Sequence, residues 1–375
     1  MKKLIRTTAS LTALAVILLV AYNFFNSFFI EKEFTEGNYS SYYYRQLDKT
    51  EKQAYTAVKE KIYEFPKEIE SPVLTTSQLE DVLNALIYDD PMMFMMSNCK
   101  LVMQGRQAFF VPSYCMDSEE YSHYEEGINK KLDKIAKEIP TNDFEAELFC
   151  HDYIIENCDY SDTDHILEST VVGVLINGKA KCSGYAKAFK LLLDRADIES
   201  VLVTGVATDF SGKTQNHMWN AVKIANSWCY TDPTWDDPLT EDGEAVCRHI
   251  YFNMTEEMLS RTHNEFEFTE ECNDPSLYYY IIYDAYFDKC GESLVSSVSD
   301  LIAEAARSGR NEAEFMLSSD SVMSQALIQL FEEERIYRAL ETAALKTGMS
   351  IVTDSLNYSA NLEERLITII FETKG

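Results

Sequence analysis

The chain has 375 residues, of which 33 are basic and 62 are acidic, so its formal net charge at neutral pH is −29. A protein this acidic repels a phosphate backbone, and the composition therefore argues against nucleic-acid binding. The length is enough for two or three domains. Hydrophobic residues make up 46% of the chain, which is enough to give these domains hydrophobic cores.

The first thirty residues differ from the rest of the chain. A basic start of the sequence MKKLIR precedes residues 11–30, which carry no charge and are mostly apolar. About 20 apolar residues span a bilayer, and no small-x-small cleavage pattern follows the apolar run. We therefore expect residues 1–30 to be an uncleaved signal anchor, with the remainder of the chain outside the cytoplasm. A cleaved signal peptide, and hence a secreted protein, is the alternative.

Residues 31–140 predict an N-terminal α+β accessory domain. Apolar residues at helical spacing indicate helices near Val58 and Leu83, and two strand-like runs indicate a hairpin that turns near Gly105. An amphipathic helix is expected over residues 119–139. We assign no chemistry to this region.

Cys182 lies where an extended run becomes helical. The apolar residues that follow recur at helical spacing, and Lys187 falls on the opposite face, which we expect to be exposed to solvent. The free N–H groups and the dipole at a helix start favour a thiolate, which is the nucleophilic form of cysteine. A buried structural cysteine is the alternative for an isolated residue of this type.

Two strand-like runs after this helix carry His217 and Asp232. If the loop between the strands is only Ala225 and Asn226, the pairing places Trp219 opposite Asp232. Side chains alternate along a strand, so His217 then shares a face with Asp232 and lies diagonal to it. A loop of odd length would put the two side chains on opposite faces. A loop with an even number of residues therefore permits a pair of His217 as the base and Asp232 as the orienting carboxylate, with Cys182 available as the nucleophile.

Residues 275–375 predict a small C-terminal α+β domain. A tyrosine-rich stretch at 277–287 indicates an aromatic strand or a linker. Helices are expected at 294–306 and 322–345, and strands at 313–317, 349–354 and 365–371. No motif in this region indicates chemistry.

Three ordered runs resemble the transglutaminase-like superfamily, which includes transglutaminases and papain-like thiol hydrolases: GKAKCSGYA at 178–186, HMWN at 217–220 and WCYTDPTWDD at 228–237. Two flanking runs extend the resemblance, HDYIIEN at 151–157 and HIYFN at 249–253, the latter expected as a strand and loop. The resemblance implies an α+β fold over residues 141–274, with a nucleophile helix packed on an antiparallel sheet as in papain.

The resemblance also implies roles for individual residues. Cys182, His217 and Asp232 match the catalytic cysteine, histidine and aspartate of the family. The backbone N–H of Cys182 is a candidate oxyanion donor, because it lies at a helix start. Tyr160 is a candidate for the second donor. Trp219 is a candidate for a cleft wall, with a packed sheet aromatic as the alternative.

Three functions fit these residues. The first is an extracytoplasmic cysteine peptidase or amidase that works through a thioester and passes the acyl group to water. The second is a protein-glutamine transglutaminase, in which an amine accepts the acyl group. The third is a non-catalytic binding or envelope-scaffold module. The sequence does not separate hydrolysis from transamidation, because cleft shape and water exclusion choose the acceptor.

The remaining cysteines and histidines give no further site by spacing. Eight cysteines besides Cys182 are present, and their disulfide connectivity is not readable from sequence. The histidines are scattered, so we expect no metal and no cofactor. Those outside the triad are expected to be ordinary surface or core residues: His123, His151, His165, His249 and His263. Of these, His151 falls in the family-like helix. The expected partners are a peptide or protein substrate and a membrane that holds the N-terminal helix, with no nucleic acid. The sequence does not indicate an oligomeric state.

Overall fold

The structure is a computed structural model that describes residues 33–161, 163–237 and 247–374. The anchor expected in residues 1–30 lies outside these residues. Within the described ranges, no helix is long and apolar enough to cross a membrane. The chain divides into two compact units, Met1–Leu86 with Asn98–Ser113 and Ile87–Ser97 with Tyr114–Gly375. The predicted boundaries at residues 140 and 274 both fall inside the second unit.

The first unit combines short helices with a three-stranded sheet in the order β1-β3-β2. Its helices are α1 (Tyr42–Gln46), α2 (Lys49–Lys59) and most of α3 (Thr76–Asp89), and its strands are β1 (Ile69–Ser71), β2 (Met96–Gln104) and β3 (Gln107–Tyr114). Asp48 begins α2 by accepting a hydrogen bond from the backbone of Glu51, whose side chain returns the contact. The strands β2 and β3 turn at Gly105, which has a φ of 67°, so the predicted hairpin is confirmed.

The part of the second unit before residue 265 combines helices with a four-stranded antiparallel sheet in the order β8-β7-β6-β9. The helices are α4 (Ser118–Ile135), α5 (Asp143–Asn157) and α6 (Cys182–Arg195). The strands are β6 (Ser200–Thr208), β7 (Thr214–Ile224), β8 (Ser227–Thr231) and β9 (His263–Asn264). The α+β class predicted from the sequence is confirmed.

The helix α6 packs directly on this sheet. Ala186 of the helix forms a buried cluster with Leu202 of β6 and Met218 of β7. Asn220, which is fully buried, donates a hydrogen bond from Nδ2 to the backbone oxygen of Ala186 at 3.0 Å. Gly184 permits close approach at the other side of the helix, since a Cβ there would lie 2.5 Å from the backbone oxygen of Glu168. These contacts fix the start of α6 relative to the sheet.

The hairpin between β7 and β8 has the predicted two-residue loop. Ile224 pairs with Ser227, and the ladder continues back to Asn220 and Thr231. Ala225 and Asn226 both have positive φ angles, 48° and 70°, as the tight type I′ turn requires. The two-residue loop is therefore confirmed, and the register holds up to the pair of Asn220 and Thr231. The ladder ends one pair before the predicted pairing of Trp219 with Asp232, and Asp232 follows directly after β8.

The run 249–253 is not a strand, and this expectation was wrong. It forms turns that end in an isolated bridge between Met254 and Tyr230. Asn253 has a φ of 57°, which a strand cannot contain. Its side-chain amide donates instead to Glu147 in α5 at 2.8 Å. The need to pair these two buried polar groups therefore sets the backbone conformation at Asn253.

The C-terminal part of the second unit has a mixed sheet in the order β10-β11-β13-β12. Its strands are β10 (Tyr286–Phe287), β11 (Glu312–Leu317), β12 (Ser350–Asn361) and β13 (Leu366–Lys374). The helices of this part of the chain are α7 (Glu256–Leu259), α8 (Tyr279–Ile282), α9 (Glu292–Arg307), α10 (Asp320–Leu327) and α11 (Arg335–Thr347).

Two predictions in this part differ from the structure. The tyrosine-rich stretch is a strand only at β10, and it contains the short helix α8, beside which Tyr278 and Tyr280 are buried. The single helix expected over residues 322–345 is broken between α10 and α11. A π-helical turn at Ile328–Glu332 leads to Glu334, which has a φ of 59°.

Candidate active site

Cys182 is the first residue of α6 and is half-buried. The residue before it, Lys181, makes no side-chain cap hydrogen bond. The first N–H groups of a helix have no partner within the helix, and they carry its positive dipole end. Negative charge on the Cys182 sulfur, or on an oxygen next to it, is therefore favoured at this position.

A short parallel pair of strands leads into the nucleophile. The strand β4 (Asp159–Tyr160) pairs with β5 (Lys179–Ala180), so that Tyr160 lies opposite Ala180. The backbone N–H of Ser161 then donates to Ala180 at 2.9 Å. This pairing brings the Tyr160 backbone alongside the segment that ends at Cys182, and the Tyr160 side chain is half-exposed there.

His217 and Asp232 are in direct contact. Nε2 of His217 donates to Oδ2 of Asp232 at 2.6 Å, and both side chains are fully buried. The other ring nitrogen of His217, Nδ1, is buried without a hydrogen-bond partner in the described chain. The thiol of Cys182 is close enough to the His217 imidazole to help raise its pKa. The Asp–His contact thus leaves Nδ1 for exchange with the Cys182 sulfur.

Charge holds this contact in its ionised form. Burial acts to lower the pKa of His217, but the charge and hydrogen bond of Asp232, together with Cys182, outweigh burial and raise that pKa to about 10. Burial acts to raise the pKa of Asp232, yet His217 and His263 hold it well below its ordinary value. At neutral pH the contact is an imidazolium–carboxylate pair, and an imidazolium beside a cysteine favours the thiolate.

Asp232 is held by further hydrogen bonds. Its Oδ1 accepts from the backbone N–H groups of Thr234 at 3.0 Å and Trp235 at 3.4 Å. Its own backbone N–H donates to Tyr251 at 2.9 Å. The carboxylate plane is therefore fixed from the turn that follows β8.

His263 on β9 is a site residue that sequence reasoning missed. Its Nε2 donates to Oδ2 of Asp232 at 3.1 Å, and its Nδ1 lies 2.8 Å from the hydroxyl of Thr262. Burial lowers the pKa of His263, although Asp232 opposes this effect. A neutral ring with its proton on Nε2 satisfies both contacts, with the Thr262 hydroxyl donating. We expected this histidine to be ordinary, because no spacing in the sequence links it to Asp232.

Two tryptophans surround the imidazole. Trp219 is fully buried and stacks on His217 at a centroid distance of 5.9 Å. This position agrees with the packed sheet aromatic that we kept as an alternative, since a buried ring cannot line an open cleft. Trp235 is half-buried, and its ring lies 5.9 Å from His217 and 4.7 Å from His263. Trp235, unlike Trp219, is therefore partly accessible beside the imidazole.

Lys187 does not lie on a solvent face, contrary to prediction. It is half-buried, and its ammonium donates to the backbone oxygen of Ser169 at 3.1 Å. Burial lowers its pKa to about 8, while the nearby Cys182 acts to raise it. One turn of α6 places this cation within electrostatic reach of the sulfur, where it adds to the effect of His217.

A buried polar group supports the end of β8 next to Asp232. Glu147 of α5 accepts hydrogen bonds from Thr231 at 3.0 Å and from Asn253 at 2.8 Å. Burial raises the pKa of Glu147 to about 7. The contact joins α5 to the strand that carries the site.

Two groups of side chains among the described residues have ligand atoms close enough to hold a metal ion. The first is His217, Asp232 and His263, whose facing atoms are already used in hydrogen bonds to one carboxylate oxygen. The second is His151, Asp152, Cys247 and His249. Of these two groups, only the second is separate from the contact between His217 and Asp232.

A family model described as the transglutaminase-like superfamily matches residues 133–233. The chain contains a transglutaminase-like core. The match covers α5, α6 and the hairpin that ends at Asp232, and so it includes Cys182 and His217. His263 lies thirty residues beyond its end. A search of curated proteins found no match.

Solved structures similar to this chain include a TGase, with 13% identity and a TM-score of 0.27, covering 43% of this chain and 48% of the other. Two proteases described as putative are also similar, each with 12% identity. The cysteine protease from Cytophaga hutchinsonii has a TM-score of 0.25 and coverages of 40% and 65%. The protease from Parabacteroides distasonis has a TM-score of 0.23 and coverages of 40% and 40%. This chain therefore covers less than two thirds of each of these structures.

Within the transglutaminase-like core, the arrangement can perform acyl transfer. A sulfur at a helix start, a buried imidazole and a carboxylate that orients the imidazole are the three parts that the reaction needs. The helix start adds a backbone N–H for a developing oxyanion.

Proposed function

We propose that the chain is a cysteine-dependent acyl-transfer enzyme, in which Cys182 is the nucleophile, His217 the general base and Asp232 the orienting group. The observation that carries this proposal is the buried 2.6 Å contact between His217 and Asp232, which leaves Nδ1 of the imidazole for the sulfur. The substrate is a peptide or a side-chain amide. Water accepts the acyl group, which makes the enzyme a peptidase or amidase.

The reaction begins with the proton of Cys182 on Nδ1 of His217. The thiolate attacks the amide carbonyl carbon, and the Cys182 backbone N–H stabilises the oxygen that becomes negative. His217 then returns the proton to the leaving amine, and a thioester remains on the sulfur. Water, deprotonated by His217, attacks the thioester and releases the acid together with free Cys182. Asp232 stays ionised and stabilises the imidazolium throughout.

The test is mass spectrometry of a peptide library that contains glutamine, incubated with and without a primary amine. Chain cleavage or a gain of acid at glutamine supports the hydrolase, whereas incorporation of the amine identifies a transglutaminase. The Cys182→Ala variant is the negative control, and Cys290→Ser removes a half-buried cysteine outside the site as the matched control. An inert wild-type chain, with products no different from the Cys182→Ala variant, contradicts the proposal and favours a binding module.

The placement of the enzyme is a separate part of the proposal. A basic start followed by the uncharged apolar run 11–30 supports an anchor, with residues 31–375 outside the cytoplasm. Protease treatment of intact cells tests this placement, with a cytoplasmic protein as the control. Digestion of the enzyme while the control survives is expected, and full protection of the enzyme contradicts the placement.

A further inference from the structure

A second cluster of reactive side chains lies outside the triad. His151 and Asp152 come from α5, and Cys247 and His249 come from the segment before the bridge at Met254. One ligand atom from each residue lies within 4.8 Å of all the others. The spacing along the sequence hides this group, because 95 residues separate Asp152 from Cys247.

We propose that His151, Asp152, Cys247 and His249 hold a zinc ion. Two imidazoles, one carboxylate and one thiolate form a mixed nitrogen, sulfur and oxygen set that suits zinc. Calcium and magnesium require oxygen ligands, so this set disfavours them.

The distances already approach those of a tetrahedral site. Oδ1 of Asp152 lies 2.9 Å from Nδ1 of His151, 2.8 Å from Nε2 of His249 and 3.4 Å from Sγ of Cys247. The sulfur lies 3.9 Å from Nε2 of His249. Tetrahedral zinc with bonds of about 2.0–2.3 Å separates its ligands by about 3.3–3.6 Å. Small side-chain rotations therefore suffice to admit the ion.

The surroundings orient two of the ligands. Nε2 of His151 donates to Oδ2 of buried Asp236 at 3.2 Å, which leaves Nδ1 for the metal. A metal-binding histidine commonly donates its other nitrogen to a carboxylate in this way. The ring of His249 stacks on Tyr279 at 4.1 Å with an interplanar angle of 9°, so its plane is also fixed.

The charge balance favours a cation at this point. Asp152 and Asp236 bring two carboxylates, and the thiol of Cys247 loses its proton to solvent when the metal binds. The guanidinium of the intervening Arg248 contacts Glu364 at 3.4 Å rather than the cluster. When protonated, the ring of His151 lies between Asp152 and Asp236, and zinc would take the place of the proton on its Nδ1.

The ion would tie α5 to the segment that follows Asp232. Asp236 also accepts hydrogen bonds from the backbone of Tyr251 at 3.0 Å and, through its backbone oxygen, from Arg248 at 2.9 Å. Zinc at His151 therefore stabilises the polar turn beyond the catalytic aspartate. The role is structural and independent of the acyl-transfer chemistry.

The test uses the full chain carrying Cys182→Ala, which removes the catalytic thiol as a competing zinc ligand. After treatment with EDTA and dialysis, zinc binding is measured by titration calorimetry and by metal analysis. We expect one equivalent of zinc. Asp236→Asn should weaken binding by about 10–100-fold, and Cys247→Ser or His249→Gln should weaken it further. Cys290→Ser and exposed His165→Gln are the matched controls, in which binding is retained.

Cobalt provides a second measurement, because its absorption spectrum reports directly which ligands are bound. Cobalt bound to the Cys182→Ala chain should show a thiolate-to-metal charge-transfer band, and Cys247→Ser should remove that band. Absence of stoichiometric zinc uptake, absence of the band, or uptake that Cys247→Ser and His249→Gln leave unchanged would each overturn the proposal.

Discussion

His263 donates a hydrogen bond from Nε2 to Oδ2 of Asp232 across 3.1 Å, from a position 31 residues further along the chain. The same oxygen accepts the shorter contact from His217. A carboxylate oxygen that accepts from two rings is confined more closely than one that accepts from a single ring. His263 is therefore a positioning residue, which acts on the imidazole of His217 through the carboxylate.

Replacement of His263 by leucine should lower kcat by about 10–100-fold, because a hydrogen bond to a charged group contributes about 1.5–3 kcal/mol. KM should change little, since His263 is buried away from the substrate. His263→Gln retains an N–H donor and should recover part of kcat. The kcat and KM values are measured by steady-state kinetics, with a substrate identified from the peptide library. Equal loss in the leucine and glutamine variants would indicate a packing role instead.

Iodoacetamide at neutral pH should modify Cys182 before the other eight cysteines. Burial raises the pKa of each of those eight thiols, for example to about 11 for Cys99 and about 12 for Cys150. Peptide mapping of the time course measures the order of modification. His217→Ala should slow the reaction at Cys182 by removing the adjacent cation, whereas exposed His165→Ala should not. Resistance of Cys182 until the protein unfolds would identify a structural cysteine.

Stability should depend on pH through His217. Its pKa in the folded chain, about 10, lies above the ordinary value of 6.5, so protonation stabilises the fold. This contribution is complete below pH 6.5 and is lost as the pH rises through 10. The Tm difference between wild type and His217→Gln should therefore shrink by several degrees over that range. The corresponding difference for His165→Gln should stay constant, and a constant difference for His217→Gln would contradict the assignment.

The turn between β7 and β8 offers a test of the register. Ala225 is exposed and has a φ of 48°, where an alanine Cβ is strained. Ala225→Gly should raise the free energy of unfolding by about 0.5–1 kcal/mol, since glycine adopts this conformation without strain. Urea unfolding measures the change. The matched control is Ala136→Gly, at a φ of −55°, which should lower stability instead. Destabilisation by Ala225→Gly would contradict the type I′ turn.

Local patterns predicted the parts of the site that local physics decides. The helix start at Cys182 follows from apolar spacing, and the contact between His217 and Asp232 follows from a two-residue loop and strand alternation. Each needs only a period and a count. The α+β class follows from the same patterns.

The remaining contacts depend on tertiary packing that periodicity does not describe. His263 reaches Asp232 only because β9 pairs with β6, and no nearby residue indicates that pairing. Lys187 has the spacing of an exposed residue, yet the turn at Ser169 covers it. Asn253 leaves the strand conformation because its amide pairs with a buried glutamate 106 residues away.

The pairing of β9 also sets the length of chain that must be synthesised before all the hydrogen bonds to Asp232 can form. A polypeptide that stops at residue 233, where the family match ends, contains the cysteine, the histidine and the aspartate. It lacks His263, and it lacks Tyr251, whose carbonyl accepts the backbone N–H of Asp232. On the ribosome, the carboxylate emerges before the groups that hold it. The smallest fragment that contains both of these contacts to Asp232 therefore extends to His263.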